Sequence, residues 1–294
     1  MIDIQKAGRL PSWLKRPLAY AGRRYDEVDA ALSAASLHTV CREAKCPNRS
    51  ECFSNGTATF LVMGPVCTRS CRFCGVSYGM PEQLDKDEPG RVCSAAAAMG
   101  LTHAVVTSVT RDDLHDGGAS HFAEIVRLFK ERLPGVTVEV LVPDFQGSIP
   151  ALETVLSAGP HVFNHNIETV PRLYPAIRPQ ALYRRSLEIL AKAARSGVEL
   201  KVKSGLMVGL GETPDEVVET LHDMHESGCS LVTIGQYLRP SKEQAPVAEF
   251  VEPERFDVYK AQALDIGFAS VQAGPFVRSS YKAETMMTCS RQMF

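Results

Sequence analysis

Six of the chain's nine cysteines fall into two triplets, Cys41/Cys46/Cys52 and Cys67/Cys71/Cys74. Their spacings are CxxxxCxxxxxC and CxxxCxxC. Thiolates are soft ligands suited to iron–sulfur clusters, and a [4Fe–4S] cube offers four irons. A triplet therefore leaves one iron without a cysteine, either open for a substrate or completed from elsewhere in the chain. Zinc is the competing reading, because three cysteines with one of the eight histidines could also make a site. The first spacing matches neither a usual zinc pattern nor the common ferredoxin ones. Cys93, Cys229 and Cys289 fit no ligand spacing and read as small core or surface residues.

The elements that must position these cysteines can be read from the pattern after residue 56. Strands are expected at 57–63, 103–109, 136–142, 161–167, 199–208 and 231–236. They are short, apolar and rich in β-branched residues, as buried parallel strands are. Helices are expected between and after them, at about 91–99, 120–133, 149–158, 181–196, 213–227 and 254–266. Glycines 100, 159, 197, 228 and 267 stand where helices end, and Thr213-Pro214-Asp215-Glu216 forms a capping box. Six strand–helix units in sequence imply an α/β domain with a parallel sheet. Residues 1–56 read as an irregular extension with one helix at 26–36, 57–272 as the α/β domain, and 273–294 as a C-terminal segment. Residues 281–294 show no pattern and are expected to be loosely ordered.

Composition sets limits on partners. The 294 residues carry a net charge of -2 and are 45% hydrophobic, giving no general reason to expect nucleic acid. No apolar run is long enough to span a bilayer. No signal or transit peptide is evident, so a cytoplasmic location is expected, where cysteines stay reduced and act as metal ligands. Nothing in the sequence demands more than a monomer.

The second triplet follows the first expected strand, with Phe73 before its last cysteine. In this it resembles the radical S-adenosylmethionine (SAM) enzymes. The resemblance implies a partial (β/α)6 TIM-like barrel and a [4Fe–4S] cluster whose open iron binds SAM. It further implies SAM contacts from Thr107 and Ser108 at the end of the second strand and from Asn166 and Glu168 at the end of the fourth. Gly205-Leu-Met-Val-Gly209-Leu-Gly-Glu212 is similar to the superfamily's fifth-strand glycine motif, so Gly209 and Glu212 are expected on the adenine side.

The first triplet, the second triplet and Arg278-Ser279-Ser280-Tyr281-Lys282-Ala283 together resemble the lipoyl synthases. Segments 141–147 (LVPDFQG), 164–169 (NHNIET) and 236–240 (QYLRP) share in the resemblance, which runs from about residue 10 to 283. It implies a second, auxiliary [4Fe–4S] cluster on Cys41, Cys46 and Cys52, completed by Ser280, with Ser279 as the alternative. An oxygen ligand is harder than thiolate and matches cluster iron less well. The resemblance implies that this cluster is dismantled to supply sulfur at C6 and C8 of a protein-bound octanoyl-lysine, with two SAM consumed. Arg278 belongs to the same motif and is expected at the reaction centre.

Implied partners are an octanoylated carrier domain (a 2-oxoacid dehydrogenase E2 subunit or glycine cleavage H protein), an electron donor such as ferredoxin or flavodoxin, and an iron–sulfur cluster carrier. A biotin-synthase-like enzyme shares CxxxCxxC but lacks the N-terminal triplet. A non-catalytic iron–sulfur carrier has little use for a SAM-like glycine motif. His103, His161 and His165 are expected in barrel packing or polar networks rather than as catalytic bases. The basic stretch Arg9, Lys15, Arg16, Arg23 and Arg24, with Trp13, is a candidate docking surface for an acidic carrier domain or a strap around the barrel.

Overall fold

The computed structural model describes residues 9–15 and 22–288; Arg16 and Cys289 lie outside them. Seven parallel strands run in chain order: β1 (Thr59–Val62), β2 (His103–Ser108), β3 (Thr137–Leu141), β4 (Val162–Asn164), β5 (Lys201–Val208), β6 (Leu231–Gln236) and β7 (Ser270–Gly274). The first six correspond to the expected ones. The seventh, paired with β6 from Ser270↔Leu231 to Gly274↔Gly235, was not anticipated. The short pair His38–Thr39 adds an antiparallel edge on β1.

Six helices join and cover the strands: α1 (Glu88–Met99), α2 (Ala119–Arg132), α3 (Ile149–Ser157), α4 (Tyr183–Ala194), α5 (Pro214–Glu226) and α6 (Pro253–Ile266). Their ends follow local chemistry. Thr213 Oγ1 accepts from the Glu216 N–H while the Glu216 carboxylate accepts from the Thr213 N–H, closing the capping box at α5. Gly100 ends α1 at φ 65°, a left-handed conformation that an added Cβ would make costly.

Strand alternation divides the sheet into two chemistries. Ala104, Val106, Val138, Val140, Phe163, Val202, Val232 and Ile234 face the helices and are buried. The lumen-facing set mixes polar or small residues, His103, Thr107, Glu139, Asn164, Lys203, Gly205, Thr233 and Gly235, with the aliphatic Val105, Leu141, Val162 and Leu231. A barrel interior is ordinarily filled by branched aliphatic side chains; here polar side chains and glycines take many of those positions. With helices outside and a parallel sheet curved around this lumen, the architecture is a partial TIM-like barrel.

β7 and β1 are not hydrogen-bonded to each other, so the barrel is open along that seam. The C-terminal segment crosses it. Asn48 Nδ2 donates to the Phe276 carbonyl at 2.7 Å, Tyr281 Oη donates to Glu51 at 2.8 Å, and Gln272 Nε2 donates to Thr285 Oγ1 at 2.8 Å. Residues expected to be loosely ordered instead form the helix Ala283–Thr288, whose Met286 packs on Val162 and Leu231 at the starts of β4 and β6. The N-terminal extension also departs from expectation. Besides Arg23–Ala34, it contains the short helices Val40–Glu43 and Arg49–Ser54, which carry Cys41 and Cys52.

Candidate active site

The loop after β1 begins with two left-handed residues, Met63 at φ 68° and Gly64 at φ 85°. It then runs as a lasso closed by parallel pairing of Val66–Cys67 with Ser77–Tyr78. Cys67, Cys71 and Cys74 lie on this lasso above the C-terminal ends of the strands. The buried guanidinium of Arg69 fixes it, with Nε 2.6 Å from Asp112 and Nη2 2.7 Å from Asp144. The Arg72 N–H donates to the Ile177 carbonyl and the Arg72 carbonyl accepts from the Ala245 N–H. Backbone N–H groups of Thr110 (3.2 Å) and Arg69 (3.4 Å) point at Cys67 Sγ and fix its position on the loop. Burial pushes the Cys74 thiol up to about 12 and raises Cys71, against which Arg178 acts in the opposite direction. Thiols so placed ionise on metal binding and release protons. Phe73 packs against the main core.

Beside this loop stands a set of incompletely satisfied polar groups. Asn166 Nδ2 donates to Glu168 Oε1 (3.0 Å) and Ser279 Oγ (2.6 Å), while its Oδ1 is buried without a partner. Glu168 sits at φ 71°, half-buried, and burial raises its carboxyl above the ordinary range. Ser108 Oγ at the end of β2 is a further buried orphan, whereas Thr107 Oγ1 donates to the Leu141 carbonyl. Sequence reasoning did not single out Arg178. It is buried, Nη1 donates to the carbonyls of Asn166 and Ile167 and to Tyr174 Oη, and Nε has no partner. Native structures seldom leave such groups unpaired unless a ligand or water takes them. No spacing rule marks an arginine in Ile177-Arg178-Pro179, so only the fold reveals it.

The glycine motif divides into two roles. A Cβ on Gly205 would lie 2.8 Å from Asn166 Oδ1 and Thr233 Oγ1 and 2.9 Å from Ser279 Oγ, so only glycine leaves room there. Gly209, at φ 98°, and Leu210 donate their N–H groups to the Glu212 carboxylate. Glu212 therefore builds its own loop and acts as a positioning residue.

The other triplet lies at the opposite end of the strands. Thr39 leads into Cys41, and Cys52 is followed by Thr57 and β1. Cys41, Cys46 and Cys52 share one cavity with Asn48, Thr59, His103, Arg278 and Ser280. β1 spans roughly 10 Å at strand rise, so the two triplets face the lumen from its two ends. Adjacent serines part here. Ser279 Oγ is bound to Asn166, on the side of the second triplet, and Ser280 Oγ accepts from Thr59 Oγ1 at 2.7 Å, on the side of the first. The amide Oδ1 of Asn48 is a buried orphan in the same region. Burial pushes Cys41 up to about 11 and Cys52 up to about 12.

His103 lines this cavity while its Nε2 lies 3.2 Å from Glu139, and His161 and His165 bond to backbone and to Ser186, so all three belong to polar networks. Cys93 and Cys229 are buried and unpaired. Trp13 and Lys15 are exposed, whereas Arg24 Nη2 donates to the Met99 carbonyl and Arg23 pairs with Glu27. Among the described residues no three His, Cys, Asp or Glu side chains stand close enough together to hold a metal ion as they are placed here. No described helix is long and apolar enough to cross a membrane.

Three cysteines on the loop after β1, with unsatisfied polar groups around them at the mouth of a partial barrel, define a radical SAM enzyme. Residues 61–224 match the radical SAM superfamily model. Methylornithine synthase has the same fold, with a TM-score of 0.54 at 16% identity over 84% of this chain and 81% of its own. The superfamily carries a [4Fe–4S] cluster and SAM, and the thiols and orphaned polar atoms here fit both.

Over nearly its whole length the chain is similar to curated lipoyl synthases. It is 51% identical to that of Rubrobacter xylanophilus, covering 98% of this chain and 90% of the relative. It is 54% identical to that of Caldicellulosiruptor bescii, covering 93% and 94%. The chain belongs to the lipoyl synthase family and is a radical SAM sulfur-inserting enzyme.

Proposed function

We propose that this protein inserts two sulfur atoms, at C6 and C8 of an octanoyl-lysine on a carrier domain, and that a second, auxiliary [4Fe–4S] cluster is their source. The observation that carries the reading is the common cavity of Cys41, Cys46, Cys52, Arg278 and Ser280 at the end of the lumen away from Cys67, Cys71 and Cys74. The first cluster with SAM would supply a radical able to take hydrogen from unactivated methylene groups, and the auxiliary cluster would supply sulfide.

The chain's own residues do the rest. Cys67, Cys71 and Cys74 would hold a [4Fe–4S] cluster with one iron left without a protein ligand, where SAM would bind. Asn166 and Glu168 would hold the ribose and amino acid portion of SAM, Arg178 would bind its carboxylate through Nε, and Thr107 and Ser108 would serve its amino group. The loop braced by Glu212 on Gly209 backs the adenine, and Phe73 shields the cluster. Cys41, Cys46 and Cys52 would hold the auxiliary cluster, with Ser280 as its fourth, oxygen ligand, a poorer match to cluster iron than thiolate. Arg278 lies at the same cavity. The lumen between the triplets shields the acyl chain from water.

The carrier is a 2-oxoacid dehydrogenase E2 subunit or glycine cleavage H protein, the electron donor a ferredoxin or flavodoxin, and an iron–sulfur carrier restores the auxiliary cluster. The enzyme works as a cytoplasmic monomer, with 1–56 and 273–294 as extensions of a barrel at 57–272. The test is anaerobic turnover of an octanoyl-lysine peptide by chain reconstituted with iron and sulfide. The wild type should bind about eight irons, by the four-per-cluster count, and make lipoyl-lysine. Normal yield from Ser280→Ala and Cys46→Ala would overturn the assignment.

A further inference from the structure

The first triplet has two sides. One is the cavity shared with Thr59, His103 and Ser280, which faces the lumen. The other is a depression on the outer surface, lined by Cys41, Arg42, Lys45, Cys46, Arg49 and Ser50. Cys41 and Cys46 belong to both, so the triplet can be reached from outside without passing through the barrel.

The outer depression is cationic. Arg42 is committed inward, its Nε and Nη2 bound to Asp29 and Ser33. Lys45 and Arg49 are exposed, and no carboxylate among the described residues pairs with either. The neighbouring acids are engaged elsewhere, Glu43 with His38 and Glu51 with Tyr281 and Lys282. Lys45 also holds φ 51°, just past the short helix Val40–Glu43, where glycine relieves a steric cost. A cation therefore stands at the rim in a backbone conformation that does not favour it.

We propose that this depression is the port through which the auxiliary site is loaded, and that the incoming species is an anionic, thiolate-ligated [4Fe–4S] cluster. The inference rests on the auxiliary-cluster reading above. Loading is ligand exchange without change of oxidation state. Cys41, Cys46 and Cys52 form three iron–sulfur bonds, Ser280 forms one iron–oxygen bond from the lumen side, and four donor thiolates leave. The protons displaced from the three thiols and the hydroxyl go to those thiolates.

The test uses the full-length apo chain and the double variant Lys45→Gly/Arg49→Gln. Glycine at 45 suits the local backbone, so loss of charge is separated from loss of fold. The first readout is alkylation of Cys46 by anionic iodoacetate relative to neutral iodoacetamide, followed by mass spectrometry. With two cations on the order of 8 Å from the thiol, the ratio should fall about fourfold at low ionic strength and little at about 1 M salt. The second is uptake of a synthetic thiolate-ligated cluster, which should slow about tenfold because the cluster carries more negative charge than iodoacetate. Loading from free ferrous iron and sulfide should change far less.

An unchanged alkylation ratio, or equal slowing with ferrous iron and with the preformed cluster, would overturn the proposal. A wild-type chain that binds only about four irons would instead remove the auxiliary-cluster reading, while the alkylation ratio would still report on the port.

Discussion

Replacing Lys203 with methionine should cost about 3–5 kcal/mol of folding stability, the range for removing one partner of a buried ion pair. Lys203 of β5 and Glu139 of β3 meet over β4 on the lumen side, both buried, with Nζ 2.9 and 3.2 Å from the two carboxylate oxygens. Asn164 Nδ2, at 2.9 Å, and His103, at 3.2 Å, complete the carboxylate's shell. Without Lys203, Glu139 keeps its desolvation penalty and loses the cation that offsets it. Glu139→Gln strands the ammonium and should cost a similar amount. The double variant Glu139→Gln/Lys203→Met loses both charges of the pair and should be destabilised by less than the sum of the two singles, a coupling of about 2–3 kcal/mol.

The acid dependence has a definite sign. Lys203 and His103 hold the Glu139 carboxyl below its unfolded value despite burial. Its contribution is therefore complete above the unfolded pKa and fades as pH falls below about 4. Anaerobic urea denaturation of the apo chain, across pH and for all four species, measures both effects. Additive costs, or a wild-type acid response equal to that of Glu139→Gln, would refute the reasoning.

Two predictions concern the SAM side. Gly205→Ala places a methyl group where Asn166, Thr233 and Ser279 meet; SAM cleavage, read as 5′-deoxyadenosine, should fall at least about tenfold with iron content unchanged, a displacement of the order that misplacement of reacting groups produces. Arg178→Met should weaken SAM binding about 10- to 100-fold, equivalent to one charge-assisted contact of about 1.5–3 kcal/mol. The shift of the reduced cluster's electron paramagnetic resonance spectrum on SAM titration measures it, and unchanged affinity would exclude Arg178 from the carboxylate role.

What could be read from the sequence was what is local. Spacing of β-branched runs and helix-ending glycines located six strands and six helices, because period and capping are properties of neighbouring residues. β7 was missed because Ser270-Val-Gln-Ala-Gly274 is short and half polar, its inner face serving the lumen. The tail helix was missed because its order comes from Met286 on Val162 and Leu231, a tertiary contact.

The cysteine triplets declared themselves through spacing, and resemblance brought in the serine motif. Which serine faces which triplet, however, follows from a chain crossing the seam between β7 and β1. Arg178 and the outer port of Lys45 and Arg49 exist only once Asn166, Cys71 and the two short helices have been folded together.

The central claim is that Cys41, Cys46, Cys52 and Ser280 hold the sulfur that is inserted. Its most direct test is one turnover of an octanoyl-lysine peptide by chain reconstituted with ³⁴S-sulfide, with no other sulfur source except unlabelled SAM and protein. The account requires both sulfurs of the lipoyl product to be ³⁴S in the wild type, and no sulfur insertion by Cys46→Ala despite continued SAM cleavage. An unlabelled product, or a labelled one from Cys46→Ala at wild-type yield, would contradict it.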